Sequence, residues 1–354
     1  MSLDSYGTEN SKKMYDTTSA QALWLKQDLA NNTQLWTICY WHHPPYTMGN
    51  HNSDTEGELV EIRSKLMVLL ERYKVDLVLC GHSHQYERSK LMKGHYGLES
   101  TFDSLVHHIS HSSGKYDGST NSCPYYKNSS DSVNTGLVYV VAGNTGKYNT
   151  NTSPGWPHNA MYYSNTSNSG SMYLKINANR LDLQMISQTG SIQDQFTMMK
   201  DVNRTYHMMV PISTPVNLTA SWPGSYYWEN TGDTTQSISI NFDHDSMVVV
   251  HDPVQCVADT FYVTTYYVGV EKYDKKSIKI FPNPTDQKFT IHVPVKNEMA
   301  NMKIYSLTGN LVYNTNIFLE HDNQLVDPGK LAAGTYSVQV QIEKNIYCTK
   351  LLIE

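Results

Sequence analysis

Hydrophobic and polar positions in the first hundred residues predict helix, strand, helix and strand in that order. Apolar residues recur at helical spacing over 19–29, and a nearly unbroken apolar run at 35–41 predicts a buried strand. Residues 58–73 place leucine and isoleucine on one face of a second helix, and the run 75–80 predicts a second buried strand. Strand, helix, strand is the order of a βαβ unit, in which residues that follow parallel strands meet at one edge of the sheet.

Beyond Gly97 the pattern changes to short β-like runs separated by Gly, Asn and Ser. Strands are predicted at 137–141 and 171–176, the latter with a hairpin partner at 181–186. The Asn- and Ser-rich stretch 144–168 predicts a long surface loop.

Breaks in this pattern predict three domains. A break at 201–206 starts a second group of short strands, and a third group opens at residue 272. We predict an α/β domain at 1–201, a β-sandwich at 205–270 and a second small β-sandwich at 272–354.

Composition narrows the classes of protein that fit. The formal net charge is −6, which argues against a nucleic-acid-binding protein, since such proteins carry excess Lys and Arg. Charged residues make up 17%, below the roughly 25% of ordinary soluble domains, and Asn, Ser, Thr and Tyr carry the polarity, which is typical of extracellular surfaces. No apolar run predicts a membrane span, and residues 1–13 are too polar for a signal peptide. The five cysteines are scattered and odd in number, so no disulfide framework is predicted.

Two histidine clusters follow the two predicted buried strands. His42 and His43 come after the strand 35–41, and His82 and His84 come after the strand 75–80. Neutral imidazoles on short loops are preferred ligands of divalent transition metals. Solvated loop histidines are the alternative for either cluster alone, but two clusters at one predicted sheet edge favour a metal site.

Two motifs carry a resemblance to a known family. The run GHSHQYER at 81–88 resembles the GHxHxYER motif of purple-acid-phosphatase-like enzymes in the calcineurin-like metallophosphoesterase superfamily, and HHPPY at 42–46 resembles the HxPxY motif before it. Weaker agreement extends to residue 201. The resemblance implies part of a four-layer α/β/β/α sandwich, a centre of two metal ions (iron, zinc or manganese) and hydrolysis of phosphate esters, as in acid phosphatases.

The resemblance also implies roles for single residues. His42 and His82 resemble the imidazole ligands of one metal ion, and His84 resembles a ligand of the other.

Three further residues of the motifs are candidates for orienting ligands or phosphate, namely His43, Tyr86 and Arg88. Packing, or a salt bridge between Glu87 and Arg88, is the alternative for them. His51 and His158 lie in Asn-rich loops and are predicted to be exposed to solvent, although such loops would border the same edge.

The chain departs from the family in its first residues. The family's N-terminal half supplies a metal-binding Asp, a GDxxY segment and a GNHE segment, and none of these precedes His42. We therefore expect the chain to represent the second half of the catalytic domain, with an incomplete metal centre that is inactive by itself. A surface binding or adhesion protein that keeps a degenerate phosphoesterase remnant is the alternative function.

The C-terminal regions carry two more resemblances. Residues 222–270 resemble the immunoglobulin-like repeats of bacterial surface proteins, which act as spacers or, alternatively, bind glycans. The segments 280–284, 304–309, 331–336 and 350–353 resemble the C-terminal sorting domain of type IX secretion. This implies a secreted or cell-surface protein, with the type IX export machinery as a partner and a signal peptide upstream of Met1.

Overall fold

The computed structural model describes residues 1–7, 12–130, 136–267, 278–293 and 295–354. The chain divides into two compact units, Met1–Tyr266 and Tyr267–Glu354. The predicted boundary between the first two domains, at 201–205, falls inside the first unit and stays a prediction. The predicted start of the third domain at residue 272 lies outside the described residues.

The two predicted helices of the first unit form where the apolar spacing places them, and a short helix that was not predicted follows. Helix α1, Ala20–Ala30, begins at Ser19, whose Oγ accepts a hydrogen bond from the Ala22 N–H, and it buries Leu25 and Leu29. The second helical stretch continues without a break through α2 (Gly57–Glu61), a π-helical turn (Ile62–Leu66) and α3 (Met67–Arg72), and a short α4 spans Ser104–His107.

A five-stranded sheet carries the candidate site. Its strands are β1 (Ile38–Tyr40), β2 (Leu77–Cys80), β3 (Tyr86–Ser89), β5 (Val138–Ala142) and β6 (Met161–Asn165), while β4 (Tyr125–Lys127) belongs to another sheet. The order is β1-β2-β5-β3-β6, with β1, β2 and β5 parallel and β3 antiparallel to both neighbours. The carboxyl ends of β1 and β2 therefore lie at one edge, as predicted. The prediction of an unbroken loop at 144–168 is wrong, because β6 lies within it and pairs with β3.

A second sheet packs against the first. It consists of β4 together with β7 (Gly170–Asn177), β8 (Arg180–Ser187) and β9 (Ile192–Lys200), in the order β4-β9-β8-β7. Buried side chains of both sheets, including Tyr86, Val138, Leu183 and Phe196, form one core, and the helices cover the other face of the first sheet. The layers are thus helix, sheet and sheet, which confirms the predicted α/β class.

The rest of the first unit is all-β. Its strands are β10 (Thr205–Pro211), β11 (Pro215–Thr219), β12 (Tyr227–Trp228), β13 (Ser237–Asn241), β14 (Ser246–His251) and β15 (Ala258–Tyr266). They form the sheets β10-β15-β14-β12 and β11-β13 around a core that includes Trp222 and Trp228. This arrangement fits the predicted immunoglobulin-like region.

A disulfide joins this all-β region to the α/β region. Cys123 and Cys256 are bonded across 133 residues of sequence, with their Cα atoms 5.2 Å apart. The sequence predicted no disulfide framework and left the pairing of single cysteines open; this one pair is distant in sequence, and only the fold brings it together. Cys39, Cys80 and Cys348 are free thiols.

The second unit is a small two-sheet β domain. Its strands are β16 (Lys279–Phe281), β17 (Phe289–His292), β18 (Glu298–Ser306), β19 (Leu311–Leu319), β20 (Asn323–Val326), β21 (Gly334–Ile342) and β22 (Asn345–Ile353). They form the sheets β16-β17-β20 and β19-β18-β21-β22, and alternate residues of both sheets form the core. Across the described ranges of both units, no helix has the length and apolar character needed to cross a membrane.

Candidate metal centre

The two histidine clusters meet at the carboxyl edge of the first sheet. The N–H of Gly81 donates to the carbonyl oxygen of His42 at 3.0 Å, which ties the chain after β2 to the chain after β1. His42 Nε2 then lies 3.0 Å from His82 Nδ1. The parallel pairing of β1 with β2 is what brings together two imidazoles that are 40 residues apart.

His43 completes a group of three imidazoles. One nitrogen from each of His42, His43 and His82 lies within 4.8 Å of the others. The Nδ1 of His43 is held by the Ser5 hydroxyl at 2.8 Å, and the side chain is buried, whereas His42 is exposed and His82 half-buried. The Ser5 contact fixes the orientation of His43 and leaves its Nε2 for the group.

A second group shares His82 and contains a carboxylate. His51 packs against His82 with ring centroids 3.7 Å apart and the rings tilted by 31°, and its Nδ1 lies 3.0 Å from both carboxylate oxygens of Glu56. The Nε2 of His82 lies 3.5 Å from the same carboxylate. A carboxylate that accepts from the outer nitrogen of an imidazole fixes the tautomer in which the inner nitrogen, here Nδ1, carries a lone pair.

Sequence reasoning missed most of this second group. Glu56 was not identified, although it lies in the short segment between the first histidine cluster and the following helix, five residues after His51. His51 was predicted to be exposed, but it is half-buried and packs against His82. His158 was also predicted to be exposed, and it is instead 1% exposed in the core beside Tyr46.

Electrostatics keep the imidazoles neutral. Burial lowers the pKa of His43 to about 4, with further lowering from the neighbouring His82 and His42. Burial likewise lowers the pKa of His42 and of His82, and His51 adds to both effects. Neutral imidazole is the form that binds a metal ion, so these shifts favour ligation at neutral pH.

The segment Gly81–His84, which we call the histidine turn, is unusually tight. The Ser83 N–H donates to the Gly81 carbonyl oxygen at 2.8 Å, and His82 between them has a φ of +66°. This is a γ-turn with positive φ, the rarer and more strained of the two γ-turn forms. A side chain other than glycine in this conformation must be held there by its surroundings.

The side chain of His84 lies near His42, whose pKa it helps to lower, but it is in neither group of candidate ligands. The backbone N–H of His84 donates to Asn50 Oδ1 at 2.6 Å, and its carbonyl oxygen accepts from the Asn149 N–H at 2.9 Å. Within the described part of the chain, neither group of candidate ligands includes its side chain. The structure therefore brings His42, His43 and His82 together, but not His84.

Tyr86 and Arg88 point away from the histidines. Alternate residues of a strand face opposite sides of the sheet, so both side chains of β3 enter the core between the two sheets. There the guanidinium of Arg88 forms two hydrogen bonds to Asp194, 2.6 and 2.9 Å long, and the Tyr86 hydroxyl donates to the same carboxylate at 3.0 Å. The ion-pair partner of Arg88 is thus Asp194, and the predicted alternative of a salt bridge with Glu87 is wrong. Arg88 belongs to a structural ion pair in the core.

The donor set fits one metal ion. Two ligand nitrogens about 2.1 Å from an ion are roughly 3.0 Å apart at right angles and roughly 3.4 Å apart in a tetrahedral site, and the His42 and His82 nitrogens are 3.0 Å apart. His43 adds a third imidazole and Glu56 an outer carboxylate. Among the described residues, the carboxylate bridge that would hold a second ion close to the first does not occur in these groups.

Comparisons with known proteins match two regions of the chain. Residues 1–86 match the family model described as calcineurin-like phosphoesterase, and residues 279–354 match the secretion system C-terminal sorting domain. Residues 1–86 thus form a calcineurin-like phosphoesterase region, and residues 279–354 form a sorting domain of type IX secretion. Both resemblances drawn from the motifs are confirmed. At the family level they support phosphoester hydrolysis and a secreted or cell-surface location.

Relatives with similar sequences include purple acid phosphatases. The chain is 39% identical over 79 residues to purple acid phosphatase 22 of Arabidopsis thaliana, a stretch that covers 22% of this chain and 18% of that protein. It is 34% identical over 83 residues to an uncharacterized protein of Mycobacterium tuberculosis, over 22% of this chain and 15% of that protein. The chain spans less than a fifth of either relative. A purple acid phosphatase from yellow lupin (Lupinus luteus) seeds overlaps 52% of this chain and 29% of its own, at 19% identity and a TM-score of 0.38.

Proposed function

We propose that this chain carries the imidazole half of a phosphoesterase metal centre and that the intact centre hydrolyses phosphate esters. The observation that carries the proposal is the 3.0 Å approach of His42 Nε2 to His82 Nδ1 at the carboxyl edge of parallel strands. His42, His82 and His43 would hold one ion. His84, as in the sequence-based prediction, would serve the second of the two ions that the family normally binds.

The chain's own residues have distinct parts in this function. When bound, the metal supplies Lewis-acid polarisation of the phosphate ester. Glu56 keeps the proton of His82 on Nε2 and so leaves Nδ1 free to bind the ion. Because Glu56 also occupies the Nδ1 of His51, a proton that His51 exchanges with substrate would pass through its Nε2.

The sorting domain supports a location of this chemistry at the cell surface or outside the cell. It implies recognition by the type IX secretion machinery, and the disulfide between Cys123 and Cys256 fits an oxidising compartment. The all-β region between the two would then act as a spacer.

Metal binding by the whole chain tests the proposal. Zn²⁺ content after dialysis and the Zn²⁺ dissociation constant are measured for the wild type, for the double variant His42→Ala/His82→Ala, and for His244→Ala as a control at an exposed histidine (77% exposed). We expect binding in the wild type and the control, and affinity lower by about 100-fold or more in the double variant, since loss of an outer partner alone costs roughly 10–100-fold. Equal affinity in all three would contradict the proposal. Turnover of a chromogenic phosphate monoester is measured in parallel. Turnover would favour the phosphoesterase over the alternative of a binding protein, and it would contradict the expectation that this part of the centre is inactive by itself.

A further inference from the structure

Beneath the histidine turn lies a buried amide with all of its hydrogen-bonding positions in use. The Oε1 of Gln85 accepts from the Asn50 N–H at 3.0 Å and from the Ser83 hydroxyl at 2.8 Å. Its Nε2 donates to the carbonyl oxygens of Asn149 at 2.7 Å and Asn151 at 2.8 Å. A primary amide has two N–H donors and two acceptor positions, so the side chain, which is 0% exposed, is saturated.

These four bonds connect three segments that border the candidate metal centre. They join the segment after β1, the histidine turn itself and the loop after β5. Two of the same segments also hold the backbone of His84, through Asn50 Oδ1 and the Asn149 N–H. Gln85 therefore closes a network around the turn in which each segment is bonded to the others.

Packing around the network leaves no room for adjustment. A Cβ atom on Gly49 would lie 2.2 Å from both Gln85 Oε1 and Ser83 Oγ, and one on Gly143 would lie 2.0 Å from the Ser83 carbonyl oxygen. Only glycine fits at either position. The turn is consequently enclosed on two sides by backbone and from below by the Gln85 amide.

This enclosure explains how the strained turn persists. His82 keeps its positive φ only where the neighbours determine the backbone, and Gln85 is the residue that bonds to those neighbours. We propose that Gln85 is a positioning residue, which holds the histidine turn in the conformation that brings His82 Nδ1 to His42 Nε2. The contacts around the turn are sufficient to show that it is enclosed. The effect of this enclosure on metal binding rests on the proposed function.

Glutamine is the side chain that this position requires. Glutamate would turn an oxygen toward the two carbonyl oxygens that Nε2 now serves, and methionine would leave all four partners without their bond. Gln85→Met and Gln85→Glu are therefore both expected to loosen the turn. Gln195→Met is the matched control, because Gln195 is a half-buried glutamine of the same unit whose amide donates one bond, to the Lys115 carbonyl oxygen.

Amide hydrogen exchange on the whole chain tests the network without any metal. The N–H groups of Asn50, His84 and Asn149 are expected to exchange about tenfold faster in Gln85→Met than in the wild type or in Gln195→Met. In the wild type the three N–H groups should exchange through one shared opening reaction. This can be measured even if a Gln85 variant does not fold. Independent opening in the wild type, or unchanged exchange in the variant, would overturn the network.

Zn²⁺ affinity tests the positioning role. We expect the dissociation constant to rise about tenfold in Gln85→Met and Gln85→Glu and to stay unchanged in the control. Faster exchange with unchanged affinity would overturn the positioning role and leave Gln85 a merely structural residue. If the wild type binds no Zn²⁺, both the proposed function and the positioning role are wrong. The exchange data would still show whether Gln85 holds the turn.

Discussion

Variants of the buried ion pair between Arg88 and Asp194 test whether the arginine of the GHxHxYER motif has a structural role or contacts phosphate. Both side chains are fully buried, and the guanidinium also donates to the Ser113 carbonyl oxygen and to the Tyr125 hydroxyl. Replacing Asp194 by Asn keeps the shape of the carboxylate but removes its charge. Arg88 would then be a buried cation without a counterion.

The magnitude of the effect follows from this burial. Removing one member of a buried ion pair typically costs about 3–5 kcal/mol, because the remaining charge stays desolvated. An ion pair replaced on both sides by apolar residues of similar size costs far less, often about zero. We therefore expect Asp194→Asn to lower the free energy of unfolding by about 3 kcal/mol or more, and Arg88→Leu/Asp194→Leu to recover most of that loss.

Urea unfolding of the whole chain, monitored by tryptophan fluorescence, measures these differences. Binding of inorganic phosphate in the presence of Zn²⁺ is measured on the same variants at a temperature where all are folded. We expect the double variant to bind phosphate like the wild type, since Arg88 faces the second sheet. If a folded double variant binds phosphate tenfold more weakly, the structural role is refuted and Arg88 contributes to phosphate binding.

Three further predictions concern the first unit. Reduction of the disulfide, or Cys123→Ser/Cys256→Ser, should lower the free energy of unfolding by up to about 5 kcal/mol, the chain-entropy value for a loop of 133 residues, read from urea unfolding with and without reductant. Burial lowers the pKa of His158 from 6.5 to about 3. The unfolded state then binds more protons between those values, so the contribution of His158 to stability should fall by about 2 kcal/mol between pH 6.5 and pH 5. His43, His95 and His108, whose pKa values burial lowers to about 4, add to the same decline, so His158→Asn should make the profile of melting temperature against pH less steep in this range. Finally, Gly143→Ala should cost about 1–3 kcal/mol by clashing with the histidine turn, whereas Gly146→Ala, where a Cβ meets nothing within 4 Å, should be neutral in thermal unfolding; equal melting temperatures would count against the clash.

Local sequence pattern determined the elements that frame the site. Apolar spacing predicted α1 and the helical stretch that begins at Gly57, and the two buried runs became the parallel strands β1 and β2. Because each histidine cluster follows its strand directly, their meeting at one edge was also predictable. The motifs alone were enough to identify the phosphoesterase region and the sorting domain, and the family models agree.

Tertiary structure decided which side chains share a contact. Glu56 joins the candidate centre through a loop without regular spacing, and the side chain of His84 lies outside both ligand groups although its motif suggested a ligand. Arg88 pairs with a carboxylate 106 residues away, and Cys123 bonds to Cys256 across 133 residues. The spacing of apolar residues along the chain indicates which face of a helix or strand is buried, because residues on one face are two, three or four positions apart. The partner on the other side of a core depends on how sheets pair and pack, which is set by contacts between distant segments and leaves no local signal in the sequence.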